Sequence, residues 1–148
     1  MNKFDFSDKL KMCGLKSTKH RIVILDILEK SNQPIAAEQV FQIMRDKDIV
    51  VNLSTVYRAL DTLCEKKLVI KLNIYGDSRA LFEFNRMLHT HHLICLNCKK
   101  IIVIDRCPLE EYEKTLAKET DYLIEGHKLV VYGYCPQCRE KQLKKGLV

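Results

Sequence analysis

No apolar run in this chain approaches the roughly 18 residues that suggest a membrane span, and the opening segment MNKFDFSDKL lacks the hydrophobic stretch of a signal peptide. Both absences lead us to expect a cytoplasmic protein with no membrane partner. An internal repeat and a low-complexity segment are also missing. A secreted disulfide scaffold is disfavoured on two grounds: seven cysteines leave one unpaired, and without a signal peptide nothing supports an oxidising compartment. Metal ligation is therefore the expected use of at least some of these thiols.

What is present is enough hydrophobic sequence, 47% of 148 residues, for one ordinary domain or two small ones. The formal charge of +6 is modest but uneven, since the first 21 residues hold six Lys or Arg against two Asp. That concentration favours a polyanionic partner.

The N-terminal half has helical periodicity. Thr18 is placed to cap a helix reaching about Lys30, with Ile22, Leu25 and Leu28 on its buried face. A second helix from about Ala36 to Asp46 buries Ala37, Val40, Phe41 and Met44, and a third begins near Ser54. In LSTVYRALDTLCEKKLV the residues Val56, Leu60, Leu63 and Cys64 form an apolar stripe, leaving Ser54, Tyr57, Arg58 and Asp61 on the opposite face. The segments VIKLN, YGDS and ALFEF then read as strand, turn and strand, so that the whole predicts a winged helix-turn-helix. In such an arrangement the third helix enters the major groove of double-stranded DNA. Ser54, Thr55, Tyr57 and Arg58 would face bases or phosphates, while Lys16, Lys19 and Arg21 approach the flanking backbone.

Beyond Phe84 the pattern becomes LIC and KIIVI strands, a PLEEYEKTLAKE helix with Pro108 near its first position, and an HKLVVYGYC strand: a small α/β unit in an α+β protein. We expect a DNA-binding domain at 1–84, a hinge at 85–88 and a metal-binding domain at 89–148. CLNC and CPQC each offer two thiolates from a tight turn, so Cys95, Cys98, Cys135 and Cys138 are expected to hold one structural Zn2+. Four thiolates close that coordination sphere, so the histidines of HTHHLIC need a second explanation. His89 and His91 share one side of an extended strand and His92 points to the other. With Glu110 and His127 they suggest a reversible site for Zn2+, Fe2+ or Mn2+, as a sensor requires.

Catalysis is not expected, and no small-molecule substrate is implied. His89-Thr90-His91 is not followed by an Asp-His pair, and no His-x-Glu accompanies a P-C-x-x-C, because Pro136 lies inside the CPQC turn. The alternative class is a zinc-storage or protein-interaction module without DNA binding. Cys13, Cys64 and Cys107 are left without a role, with Cys64 read as a core residue.

Taken in order, GLKSTKHR, LSTVYRALDTL, FEF, HTHHLICLNC, GHKLVVYGYC and CPQC resemble the ferric uptake regulator (Fur) family of bacterial metal-dependent repressors over nearly the whole chain. The resemblance implies an N-terminal winged helix, a C-terminal dimerisation domain and a homodimer that binds palindromic operators when a regulatory metal is present. It assigns Cys95, Cys98, Cys135 and Cys138 to the structural zinc, and His89, His91, Glu110 and His127 to a dimer-domain site. Glu83 and His92 match two members of a further set at the hinge. That set departs from the family at Gln33 and Pro34, Thr90 and Val103, and Asp105, two residues past Val103 on the same strand face, is the candidate substitute. Zinc and ferrous iron both remain open as the regulatory ion.

Overall fold

The computed structural model describes residues 3–87 and 89–146, which form two compact units, Met1–Arg86 and Met87–Val148. The division falls inside the 85–88 segment expected as a hinge, of which Leu88 lies outside the described residues.

The first unit runs α1 (Lys3–Met12), α2 (Lys19–Lys30), β1 (Ile35–Ala36), α3 (Ala37–Asp46), α4 (Leu53–Glu65), β2 (Val69–Asn73) and β3 (Ala80–Phe84). Its helices begin where side chains can accept the orphan N–H groups of a first turn. Thr18 Oγ1 accepts from Arg21 N at 3.3 Å, and Asn52 Oδ1 accepts from Thr55 N at 2.8 Å. At α3 the roles reverse: the alanine cap has no side-chain acceptor, and Gln39 Oε1 instead takes the Ala36 N–H at 2.8 Å. Leu25, Leu28, Val40, Met44, Val56, Leu60 and Leu63 are buried in one core with Phe82 and Phe84 of the wing, while Cys64 packs against it half-buried. The wing is a three-stranded antiparallel sheet of order β1-β3-β2.

Two of these elements were not expected from sequence. Helix α1 carries Phe6 and Leu10 fully into the core, with the Phe6 ring edge-on to Phe84 at a centroid distance of 5.8 Å. Strand β1 is only two residues long and exists because Ile35 and Ala36 pair with Phe82 and Leu81.

The second unit contains β4 (His91–Cys95), β5 (Ile101–Ile104), α5 (Glu110–Thr120), β6 (Val130–Gly133) and α6 (Pro136–Lys144). Strand β4 is central, antiparallel to β5 and parallel to β6. A parallel pair needs a crossover, which α5 supplies between β5 and β6. Pro108 lies just before α5 rather than at its first position, since the cap is Leu109. Helix α6, also unexpected, starts at Pro136 within the second thiolate turn. The core of this unit is thin: among the described residues Ile94, Cys95 and Cys138 are its buried hydrophobic side chains, joined by His91 and His92.

Candidate functional site

Three places in the two units concentrate chemistry. The first is the thiolate cluster. Pairing of Cys95 with Gly133 across β4 and β6 sets the end of β4 beside the chain two residues before Cys135. Cys135 caps α6 and Cys138 lies in its first turn, so all four sulfurs meet, their ligand atoms within 4.8 Å of one another. The Cys98 and Cys135 sulfurs are 3.8 Å apart. Zn–S bonds of about 2.3 Å in a tetrahedron require sulfurs separated by about 3.8 Å, so the donor set fits that ion. Polar hydrogens already point at the sulfurs: Cys135 N–H donates to Cys95 Sγ at 3.4 Å and Asn97 Nδ2 to Cys138 Sγ at 3.2 Å. Burial would raise the Cys95 thiol, but N–H groups of Cys135, Cys98 and Asn97 outweigh it and bring the thiol down to about 6.

The second cluster joins His89, His91, Cys107 and His127, again with ligand atoms within 4.8 Å of one another. His127 Nε2 is 3.1 Å from His89 Nε2, 3.0 Å from His91 Nε2 and 3.2 Å from Cys107 Sγ. Its other nitrogen, Nδ1, is hydrogen-bonded to the Glu113 carboxylate, which orients the ring. Burial, followed by the neighbouring His127 and His89 rings, lowers the pKa of His91 and favours the neutral imidazole that a metal needs. A cavity of about 650 Å³ opens beside the cluster, with His89, Asp105, Cys107, Glu110, Glu113 and His127 in its walls.

Of the sequence-predicted regulatory residues, the fold brings His89, His91 and His127 together; Glu110 lines the cavity but does not join the cluster. Asp105 lines that same cavity, His92 is buried in β4, and Glu83 lies on β3 of the first unit. Sequence reasoning missed two participants. Cys107 had no periodic signal, and only its place in the β5–α5 connection delivers it. Glu113 could have been found, because it lies three residues after Glu110 and so on the same helical face.

The third place is the exposed surface of α4. Ser54, Tyr57, Arg58 and Asp61 all face solvent, opposite Val56, Leu60 and Leu63. Arg21, Thr55 and Arg58 line one shallow groove together with Thr18 and His20. Arg21 Nη1 donates to Lys16 O at 3.0 Å, tying the basic segment before α2 to this surface, and Lys16 and Lys19 are exposed. Arg58 Nη2 lies 3.4 Å from Ser54 Oγ. Tyr57 donates its hydroxyl to Glu38 of α3, and that bond lowers the Glu38 pKa and raises that of Tyr57.

A winged helix with a basic groove, continued in the same chain by a thiolate cluster and a His/Cys cluster, defines a DNA-binding regulator that responds to a metal ion. The chain belongs to the Ferric uptake regulator family, whose sequence model matches residues 12–132. It is 34% identical over 133 residues to the ferric uptake regulation protein of Bordetella parapertussis, covering 89% of this chain and 95% of that relative. Among solved structures it is similar to the Vibrio cholerae ferric uptake regulator, at 31% identity and a TM-score of 0.78 over 87% of this chain and 98% of the other. It is also similar to the Helicobacter pylori regulator Fur, which has three functional metal binding sites, at 25% identity and a TM-score of 0.83 over 94% and 95%. The family consists of metal-responsive transcriptional regulators, not enzymes, and its members bind DNA as dimers. The thiolate set agrees with a structural zinc and the His/Cys set with a regulatory metal.

Proposed function

We propose that this chain is a cytoplasmic, homodimeric repressor of metal-homeostasis genes, with Zn2+ or Fe2+ as corepressor and Mn2+ as a further candidate. Residues 1–84 would bind the operator, 85–88 would act as the hinge, and 89–148 would bind metal and dimerise. The observation that carries the reading is α4, whose Thr55 and Arg58 share a groove with Arg21 and whose Ser54 and Tyr57 are exposed, on a surface joined to a basic N-terminal segment. Cys95, Cys98, Cys135 and Cys138 hold the structural zinc; His89, His91 and His127 form the regulatory centre, and Glu110, which the family resemblance assigns to it, stands in the adjoining cavity wall. Glu83, His92 and Asp105 are proposed as a weaker second set.

The homodimer is supported by an uncovered apolar row. Ile102, Leu93 and Val131 stand directly opposite one another across β5, β4 and β6, yet Ile102 and Val131 are 49% and 41% exposed in the single chain. A row of that kind on a small, thin-cored unit favours coverage by a second copy.

A regulatory metal acts only through a tighter hold on the DNA-competent state. Operator binding titrated against buffered free zinc, iron(II) and manganese(II) tests the proposal. Metal-dependent binding that His91→Ala with His127→Ala abolishes is expected. Binding that ignores all three metals would reject the regulator and favour a storage or interaction module. Binding lost only in Glu83→Ala with His92→Ala would move the switch to the hinge set.

A further inference from the structure

We propose that Cys107, and not Glu110, supplies the fourth bond of the regulatory centre, and that its thiolate biases the site towards zinc and against manganese(II). This deepens the reading above and rests on His89, His91 and His127 being a metal site.

Hydrogen bonding does not account for the cluster. A ring nitrogen carries either one N–H or one lone pair, so it satisfies one close partner. His127 Nε2 has three: His91 Nε2 at 3.0 Å, His89 Nε2 at 3.1 Å and Cys107 Sγ at 3.2 Å. Its proton is moreover drawn to the opposite nitrogen, where the Glu113 carboxylate accepts it. His91 is likewise engaged by the backbone of Leu129. The lone pairs of His127 and His91 are thereby turned towards a common centre, a repulsive arrangement in the absence of a cation and the required one around it.

The spacing selects the kind of cation. Tetrahedral zinc with Zn–N of about 2.05 Å and Zn–S of about 2.3 Å needs N···N edges of about 3.3 Å and N···S edges of about 3.5 Å. The three edges from His127 Nε2 fall a few tenths of an ångström inside these values, and all four ligand atoms lie within 4.8 Å of one another. Three imidazoles and one thiolate form a closed set of borderline and soft donors, which suits zinc; manganese(II) gains most from carboxylates and open octahedral positions. Glu110 and Asp105 stay in the cavity wall, where they lend negative charge without joining the cluster. Glu113 is a positioning residue that fixes the His127 ring.

The test uses the full chain with its structural zinc retained and the second site emptied by a mild chelator. Cobalt(II) is titrated into the wild type, Cys107→Ser, Glu110→Gln and His91→Ala, with d–d intensity and thiolate-to-cobalt charge transfer as readouts. Wild type and Glu110→Gln are expected to bind cobalt with tetrahedral intensity and the charge transfer of one thiolate. Cys107→Ser should lose the charge transfer and at least tenfold of the zinc-over-manganese preference in competition. Cobalt binding that His91→Ala removes, but that lacks thiolate charge transfer in the wild type, would overturn the role of Cys107 and leave the histidine site standing. Collapse of the tetrahedral spectrum in Glu110→Gln, rather than in Cys107→Ser, would overturn that role equally. No cobalt binding sensitive to His91→Ala would overturn the regulatory site itself.

Discussion

Stripping the thiolate-held zinc should unfold residues 87–148 while the first unit survives. The reason lies in the unequal cores. In the first unit buried side chains run continuously from Phe6 through Leu60 to Phe84. The second unit buries Ile94 as its one large aliphatic side chain among the described residues, with Cys95 and Cys138 beside it. Complete burial of such a side chain contributes about 2–3 kcal/mol, and a core in a domain of this size rarely supplies more than about 3–5 kcal/mol. A structural zinc contributes about 10–16 kcal/mol of apparent binding free energy near neutral pH. The metal term therefore exceeds what this core supplies, and dimer contacts formed on the uncovered sheet would be lost with it. Cys95→Ser with Cys138→Ser should act as chelation does, because both sulfurs sit inside the fold. Segment-resolved hydrogen exchange is the assay. Protection of β4 and β6 should vanish after zinc removal while α2 and α4 keep theirs, and the thermal transition that remains should be that of the first unit alone. Retained protection in β4 after verified removal of the metal would refute the reasoning, since the remaining contacts would then be sufficient alone.

Two further outcomes follow from the first unit. Tyr57→Ala with Arg58→Ala should erase the specific operator footprint, whereas Lys16→Ala or Lys19→Ala should lower affinity for all sequences and reduce the salt slope by about 1 each, read from binding at several salt concentrations. Glu38→Gln should lower the pKa of Tyr57 towards its ordinary value, because the acceptor carboxylate that holds the phenol protonated is gone. Only the protonated phenol can donate, so in the wild type this bond persists through the ordinary tyrosine range and is lost as pH rises through the raised value. An NMR titration of the Tyr57 ring reads both chains, and identical curves would exclude the bond.

Sequence revealed whatever repeats along the chain at a fixed spacing, and concealed whatever is created by contact. The faces of α2, α3 and α4 were legible because apolar residues recur every three or four positions, and the polar side of α4 followed as their complement. The thiolate cluster was legible because each C-x-x-C turn is a local object that presents two sulfurs by itself. Helix α1 was not: in KFDFSDKLKM the apolar residues fall at uneven spacing, and the burial of Phe6 is decided by Phe84, far along the chain. Strand β1 was not, because two residues have no periodicity and the pairing partner defines them. Helix α6 has a mainly polar sequence, so the C-x-x-C turn was visible and the helix it begins was not.

The same division runs through the metal centre. His89 and His91 could be paired from strand alternation alone, and His92 set apart from them, because the period of two is local. Cys107 required the chain to leave β5, turn ahead of α5 and return beside β6, where His127 waits. No spacing rule contains that path. A resemblance carried at matching positions points to Glu110, whose place in the sequence is fixed, while the cluster is filled by a thiol three residues earlier that the loop conformation swings inward. With Cys107 as the proposed fourth ligand, ligand identity at this centre depends on the β5–α5 connection as much as on the helix, so a change confined to that short segment should alter metal preference while leaving the histidines in place.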